Sequence, residues 1–241
     1  MNCSLESAKH TLHVQAESPH HIQAPTAFTK APHVLAESPR GIQAESPRGE
    51  LLLELAKLTS ICLENNIMII SDEIHSDLIF KGQKHIPLAS ISEEVANNCV
   101  VLMAPSKTFN VAGFSSSIVV IPNKKNFVRY ERAIGVGHLG MGNIFGTIAM
   151  ETAYREGDDW LDQLIDYLWG NYQLLEDFFE TKLPRVKVMK PEATYLIWLD
   201  FTDYGMKNEE LMKFTIENAN VALNDGGRFG TGGDGWLRIN I

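Results

Sequence analysis

The chain has 241 residues, 44% of them hydrophobic, which suffices for one large or two modest cores. A formal net charge of −9 argues against nucleic acid or an anionic membrane surface as partner. No apolar run approaches the roughly 18 residues of a membrane span, and the start M-N-C-S-L-E-S-A-K-H has no signal-peptide core. Cys3, Cys62 and Cys99 are too scattered for a disulfide frame or a metal site and predict reduced thiols in a cytoplasmic protein.

Residues 1–49 do not resemble the rest. A-E-S-P occurs at 16–19, 36–39 and 44–47, and E-S-P-R-G at 37–41 recurs at 45–49. With Phe28 as its only aromatic and balanced charges, this leader has too little apolar surface to offset its ordering entropy, which predicts a mostly disordered segment. His10, His13, His20, His21 and His33 enrich it in imidazole, but their spacings fit no familiar metal site.

From residue 50 the pattern changes. Leu51, Leu55, Leu58 and Cys62 share one face of a helix over 50–64, and Asn65–Asn66 suits its exit. The run Ile67 to Ile70 ends abruptly in Ser71, Asp72 and Glu73. Gly82 and Pro87 then break the chain, and Ser92-Glu93-Glu94 can start a short helix. Val100 to Met103 is a second apolar run, ending in Ala104-Pro105-Ser106-Lys107, and Ile118 to Ile121 is a third, stopped by Pro122. Short β-branched runs without alternation predict strands buried on both faces, in a mainly parallel sheet covered by helices. Ligands of such sheets bind at the carboxyl ends of the strands, where Asp72 and Lys107 fall.

An acid and an amine at neighbouring strand ends suit pyridoxal 5'-phosphate (PLP). The amine holds its aldehyde, and the carboxylate keeps its pyridine nitrogen protonated so that the ring accepts electrons. The plainer reading of each residue alone is a turn or helix-capping aspartate and a solvated loop lysine.

Further along, Phe109 reads as a packing residue, and 124–134 as an amphipathic helix whose Lys124, Lys125, Arg129 and Arg132 form a solvated face. Gly135, Gly137, Gly140 and Gly142 punctuate a loop before a helix over 144–155. Residues 159–181 carry the longest helical signal, ended by Pro184. V-K-V-M-K-P and T-Y-L-I-W-L-D then predict strands, 208–219 a helix, and G-T-G-G-D-G-W-L-R-I-N-I the closing strand.

The words S-D-E-I-H-S-D-L-I-F, followed 35 positions after Asp72 by the lysine of A-P-S-K-T-F-N, resemble fold-type I PLP enzymes. The group they resemble most is the MalY/PatB type of C–S lyase, or cystathionine β-lyase, within the class I/II aminotransferase superfamily, from about Gly49 to Ile241. The resemblance implies an α/β, PLP-dependent transferase-like fold: a partial PLP-binding large domain over 50–157 and a smaller C-terminal α/β domain over 158–241. It implies Lys107 as the lysine that holds the cofactor, Asp72 as the pyridine-nitrogen partner, and His75 near the cofactor's phenolic oxygen. Ser106 falls where a hydroxyl meets the phosphate, and Arg238 of the closing L-R-I-N-I where a guanidinium grips the substrate α-carboxylate.

The implied activity is C–S β-lysis of a sulfur amino acid to thiol, pyruvate and ammonia, by a cytoplasmic homodimer with an amino acid as its small-molecule substrate. An aminotransferase uses the same residues, and an inactive fragment acting as a scaffold is the third reading. Ser115 stands where aminotransferases carry an arginine, as in the lyases. The family's N-P-x-N-P-x-G motif and phosphate-holding region are absent, which predicts weakened cofactor affinity. Because relatives continue past the last strand into a helix, the strand ending at Ile241 is expected to leave an apolar face or edge uncovered.

Overall fold

The structure is a computed structural model that describes residues 11–13, 47–137, 139–140 and 142–241. The leader's repeats, its histidines and the disorder expected for it lie outside the described residues, apart from one short strand, β1 (Thr11–His13). The chain forms two compact units. One comprises the residues up to Asp77 with Lys84–Asp159, the other Leu78–Gln83 with Trp160–Ile241.

In the first unit, α1 (Pro47–Glu64) leads into β2 (Ile69–Asp72). Asn66, in the left-handed conformation at φ 55°, ends the helix. There Asn66 N–H donates to Leu63 O and Ile67 N–H to Cys62 O, which satisfies two of the carbonyls that every helix end leaves open. A 3-10 turn (Leu88–Ser90) and α2 (Glu93–Asn97) follow, the latter capped by the Ser92 hydroxyl, which accepts from Val95 N–H. Then come β3 (Cys99–Met103), the one-turn helix α3 (Pro105–Thr108) and β4 (Ser117–Val120). Helices α4 (Lys124–Val136) and α5 (Ile144–Glu156) complete the unit, capped by Asn123 and Asn143.

The sheet order is β1-β4-β3-β2. β2 pairs parallel with β3 and β1 parallel with β4, while β3 and β4 run antiparallel. One face is packed: Cys99 and Val101 are buried with Leu88 and Val95, and Leu55, Leu63 and Ile69 pack on them. The opposite face departs from the expectation of strands buried on both sides. Ile70 is 67% exposed and Met68 45%, both lining the open space between that face and α4. Between the sheet and α4 lies a cavity of about 880 Å³ lined by Ile70, Asp72, Leu102, Val119, Tyr130 and Ile134.

The second unit contains α6 (Asp158–Lys182), β5 (Lys187–Val188), β6 (Leu196–Asp200), α7 (Asn208–Glu217), β7 (Asn224–Asp225) and β8 (Trp236–Asn240). Its sheet, β5-β6-β8-β7, is antiparallel throughout. Tyr172 and Phe179 of α6 bury against Ile197 and Leu199 of β6. Leu78 and Phe80 pack with Ile165 and Leu168, and an isolated bridge from Ile79 to Ala193 ties the 78–83 segment to this unit. The expectation of an uncovered last strand is corrected here: β8 is an inner strand, flanked by β6 and β7, with Leu237 fully buried.

Among the described residues no helix is long and apolar enough to cross a membrane, and no three His, Cys, Asp or Glu side chains converge as metal ligands.

Candidate active site

Parallel pairing brings the carboxyl ends of β2 and β3 to the same edge of the sheet. Asp72 lies opposite Leu102, and Glu73 N–H continues the ladder by donating to Leu102 O at 2.8 Å. Asp72 shares its face with Ile70 and Leu102, so its carboxylate is exposed on the open side, where it accepts weakly from Ile74 N–H at 3.4 Å. His75 is half-buried in the turn that follows.

β3 passes within two residues into α3. Ala104 is still extended, and Pro105 opens the turn with the fixed φ that suits a first helical position. Ser106 and Lys107 follow, both half-buried, and Phe109 N–H closes the turn on Pro105 O at 2.8 Å. Four residues are too few for a periodic signal, so the lysine's segment reads from sequence only as the end of a strand. The structure thus brings Asp72, His75, Ser106 and Lys107 to one edge of the first unit's sheet.

Glu73, next to Asp72, is a buried neighbour whose partners a sequence reading passes over. Only 7% exposed, it accepts from Ser71 Oγ at 2.9 Å and Leu88 N–H at 3.0 Å, and pairs with His85 Nε2 at 2.7 Å. Burial opposes its ionisation, yet the His85 ring and the two donors together hold its carboxyl below the usual range. The same burial, reinforced by the Glu73 charge, pushes the Cys99 thiol up. Asp77 also escapes a sequence reading. Its Oδ2 accepts from the fully buried Thr108 hydroxyl at 2.8 Å and from Tyr154 OH at 3.4 Å.

Arg238 belongs to the second unit, in β8 beside Trp198 of β6. Its guanidinium lies 4.3 Å from the Phe229 ring centroid and 5.9 Å from that of Trp198. Nη2 donates to Asn224 Oδ1 at 3.4 Å, and the buried Nε finds no acceptor among the described residues. Asn224 and Phe229 carry no motif that marks them in sequence.

The donors fit PLP in kind: an amine, a carboxylate and a hydroxyl at adjoining strand ends. The arginine with an unsatisfied N–H fits a carboxylate. The profile of the aminotransferase class I and II family matches residues 44–241, and the chain belongs to that family. Within it the chain is similar to the cystathionine beta-lyase PatB of Bacillus subtilis, 44% identical over 187 residues, covering 78% of this chain and 48% of that protein. Two solved structures with the same fold are cystalysin from Treponema denticola, which contains PLP, and the PLP-bound C–S lyase from Staphylococcus hominis. The first is 38% identical with a TM-score of 0.74, covering 78% of this chain and 48% of that one. The second is 35% identical with a TM-score of 0.70, covering 79% and 49%. The chain therefore spans about half the length of the relatives it matches.

Proposed function

We propose that the chain carries the lysine-bearing part of a PLP-dependent C–S β-lyase. Its reaction converts a sulfur amino acid and one water into a thiol, pyruvate and ammonia. The observation that carries this reading is the arrangement of Lys107 and Asp72 at the carboxyl ends of two parallel strands, in a chain 44% identical over its matched length to a cystathionine beta-lyase.

In this reading Lys107 Nζ would hold the cofactor's aldehyde and serve as the base for the substrate's α-proton. Asp72 would pair with the pyridine nitrogen, and His75 and Ser106 would hold the phenolic oxygen and the phosphate. Arg238 would hold the substrate α-carboxylate through its fork, using the Nε that has no acceptor among the described residues. When bound, PLP supplies the ring into which the α-carbon's electron pair spreads.

A homodimer goes with this reading, supported by Ile144 and Phe145 at the start of α5, 74% and 73% exposed. A cytoplasmic setting is supported by Cys62 and Cys99, which form no disulfide. Aminotransfer is the second reading, favoured by the family match alone.

The test is to add PLP, reduce with borohydride and locate the adduct by peptide mass. Modification confined to Lys107 supports the reading; modification spread evenly over the lysines refutes it. Thiol and pyruvate released without an added keto acid point to the lyase, and a keto-acid requirement to the transferase.

A further inference from the structure

Asp77 lies five residues beyond Asp72, in the turn that leaves β2, while Thr108 immediately follows Lys107. A single carboxylate oxygen, Asp77 Oδ2, accepts from both Thr108 Oγ1 and Tyr154 OH. The Thr108 hydroxyl is sealed from water, so without Asp77 it would lose its acceptor with no solvent to replace it. The next residue is fixed as well. The Phe109 ring meets Tyr154 edge-on, with centroids 5.7 Å apart, and Gly157 lies so close that a Cβ there would fall 2.4 Å from Phe109 Cε1. The chain just after Lys107 is therefore held from three sides: the β2 exit, α5, and the residue that joins α5 to α6.

We propose that Asp77 is a positioning residue, which, through Thr108 and with Tyr154 as a second donor, sets the placement of Lys107 relative to Asp72. The inference rests on the reading of Lys107 as the cofactor lysine. Asp72 ends β2 while Lys107 lies in α3, just past β3, and the backbone ladder between the two strands ends at Glu73. Beyond that point the Asp77–Thr108 bond links the two segments side chain to side chain. Misplacement of a reacting group by about 1 Å costs up to 100-fold in rate, so a link of this kind matters to a nucleophile.

The test uses the full chain and compares Thr108→Val, which keeps the shape and removes the donor, with Thr108→Ser, which keeps the donor. Two readouts are taken. The first is the rate of borohydride-trapped PLP attachment at Lys107, by peptide mass. The second, which needs no cofactor, is the NMR signal of Lys107 after ¹³C-methylation of the lysines, assigned with Lys107→Arg. Trapping at Lys107 is expected to slow on the order of tenfold in Thr108→Val and to stay near wild type in Thr108→Ser. The Lys107 signal is expected to shift in the first variant alone, with the other lysine signals unmoved.

Equal trapping in both variants overturns the proposal. If wild-type protein shows no preference for Lys107, the cofactor reading fails, and the NMR signal decides the positioning role by itself: a shift in Thr108→Val alone upholds it, and no shift overturns it. Should Thr108→Val not fold, Asp77→Ala against Asp77→Asn, which retains an acceptor oxygen, gives the same comparison.

Discussion

Glu73 gathers three donors while almost closed off from solvent, and this gives the protein a defined response to acid. Its folded-state pKa lies below the ordinary 4.5, so the stability it contributes is complete above about that pH and is lost as pH falls through the lower, folded value. Glu73→Gln is expected to cost about 2 kcal/mol at neutral pH. Urea unfolding of wild type and variant across pH is the check: the gap between them closes toward acid, and a constant gap contradicts the assignment. Arg238→Lys keeps the charge but loses the fork and the planar stacking over Phe229. Under the proposed lyase function, KM for the amino acid is expected to rise roughly tenfold or more, with a smaller change in kcat. At this scale the sequence singles out Asp72, Lys107 and Arg238 as candidates, because each sits beside an apolar run and within a recognisable word. The Glu73 cluster is not visible there, since its partner His85 lies twelve residues on, past Gly82, where nothing repeats. Asp77 stayed hidden for a similar reason, its partners Thr108 and Tyr154 being 31 and 77 positions away.

Among the elements, α5 shows how packing overrides propensity. Gly146 sits within its first turn, and a Cβ there would fall 2.1 Å from Ser116 Oγ and 3.0 Å from Phe114 O. Alanine normally favours a helix over glycine by about 1 kcal/mol. Here the backbone oxygen cannot move aside as the hydroxyl can, and overpacking of this kind costs about 1–3 kcal/mol. Gly146→Ala is therefore expected to lower the melting temperature, and adding Ser116→Ala to restore part of it. The helices were readable from periodicity and capping: Ser92, Asn123 and Asn143 all cap as their residue types suggest. Most strands were equally readable, β1 and β7 excepted, but strand direction and order were not. That β4 runs antiparallel to β3 but parallel to β1 has no counterpart in a four-residue apolar run. The one-turn α3 left no trace beyond Pro105.

For the molecule as a whole, the run Ile67 to Ile70 predicted a fully enclosed strand, and the chain provides only one covered face for it. Whether a neighbour covers the other side is a long-range property that local letters do not carry. Ile70→Ser is accordingly expected to change stability by no more than about 0.5 kcal/mol, although it replaces a large aliphatic side chain within a strand. A further consequence is calorimetric. Side chains already wet in the native state contribute little to the heat-capacity step on melting. The step is therefore expected below the usual 12–15 cal/mol/K per residue, which makes the temperature–stability curve broader and shallower than its length alone implies.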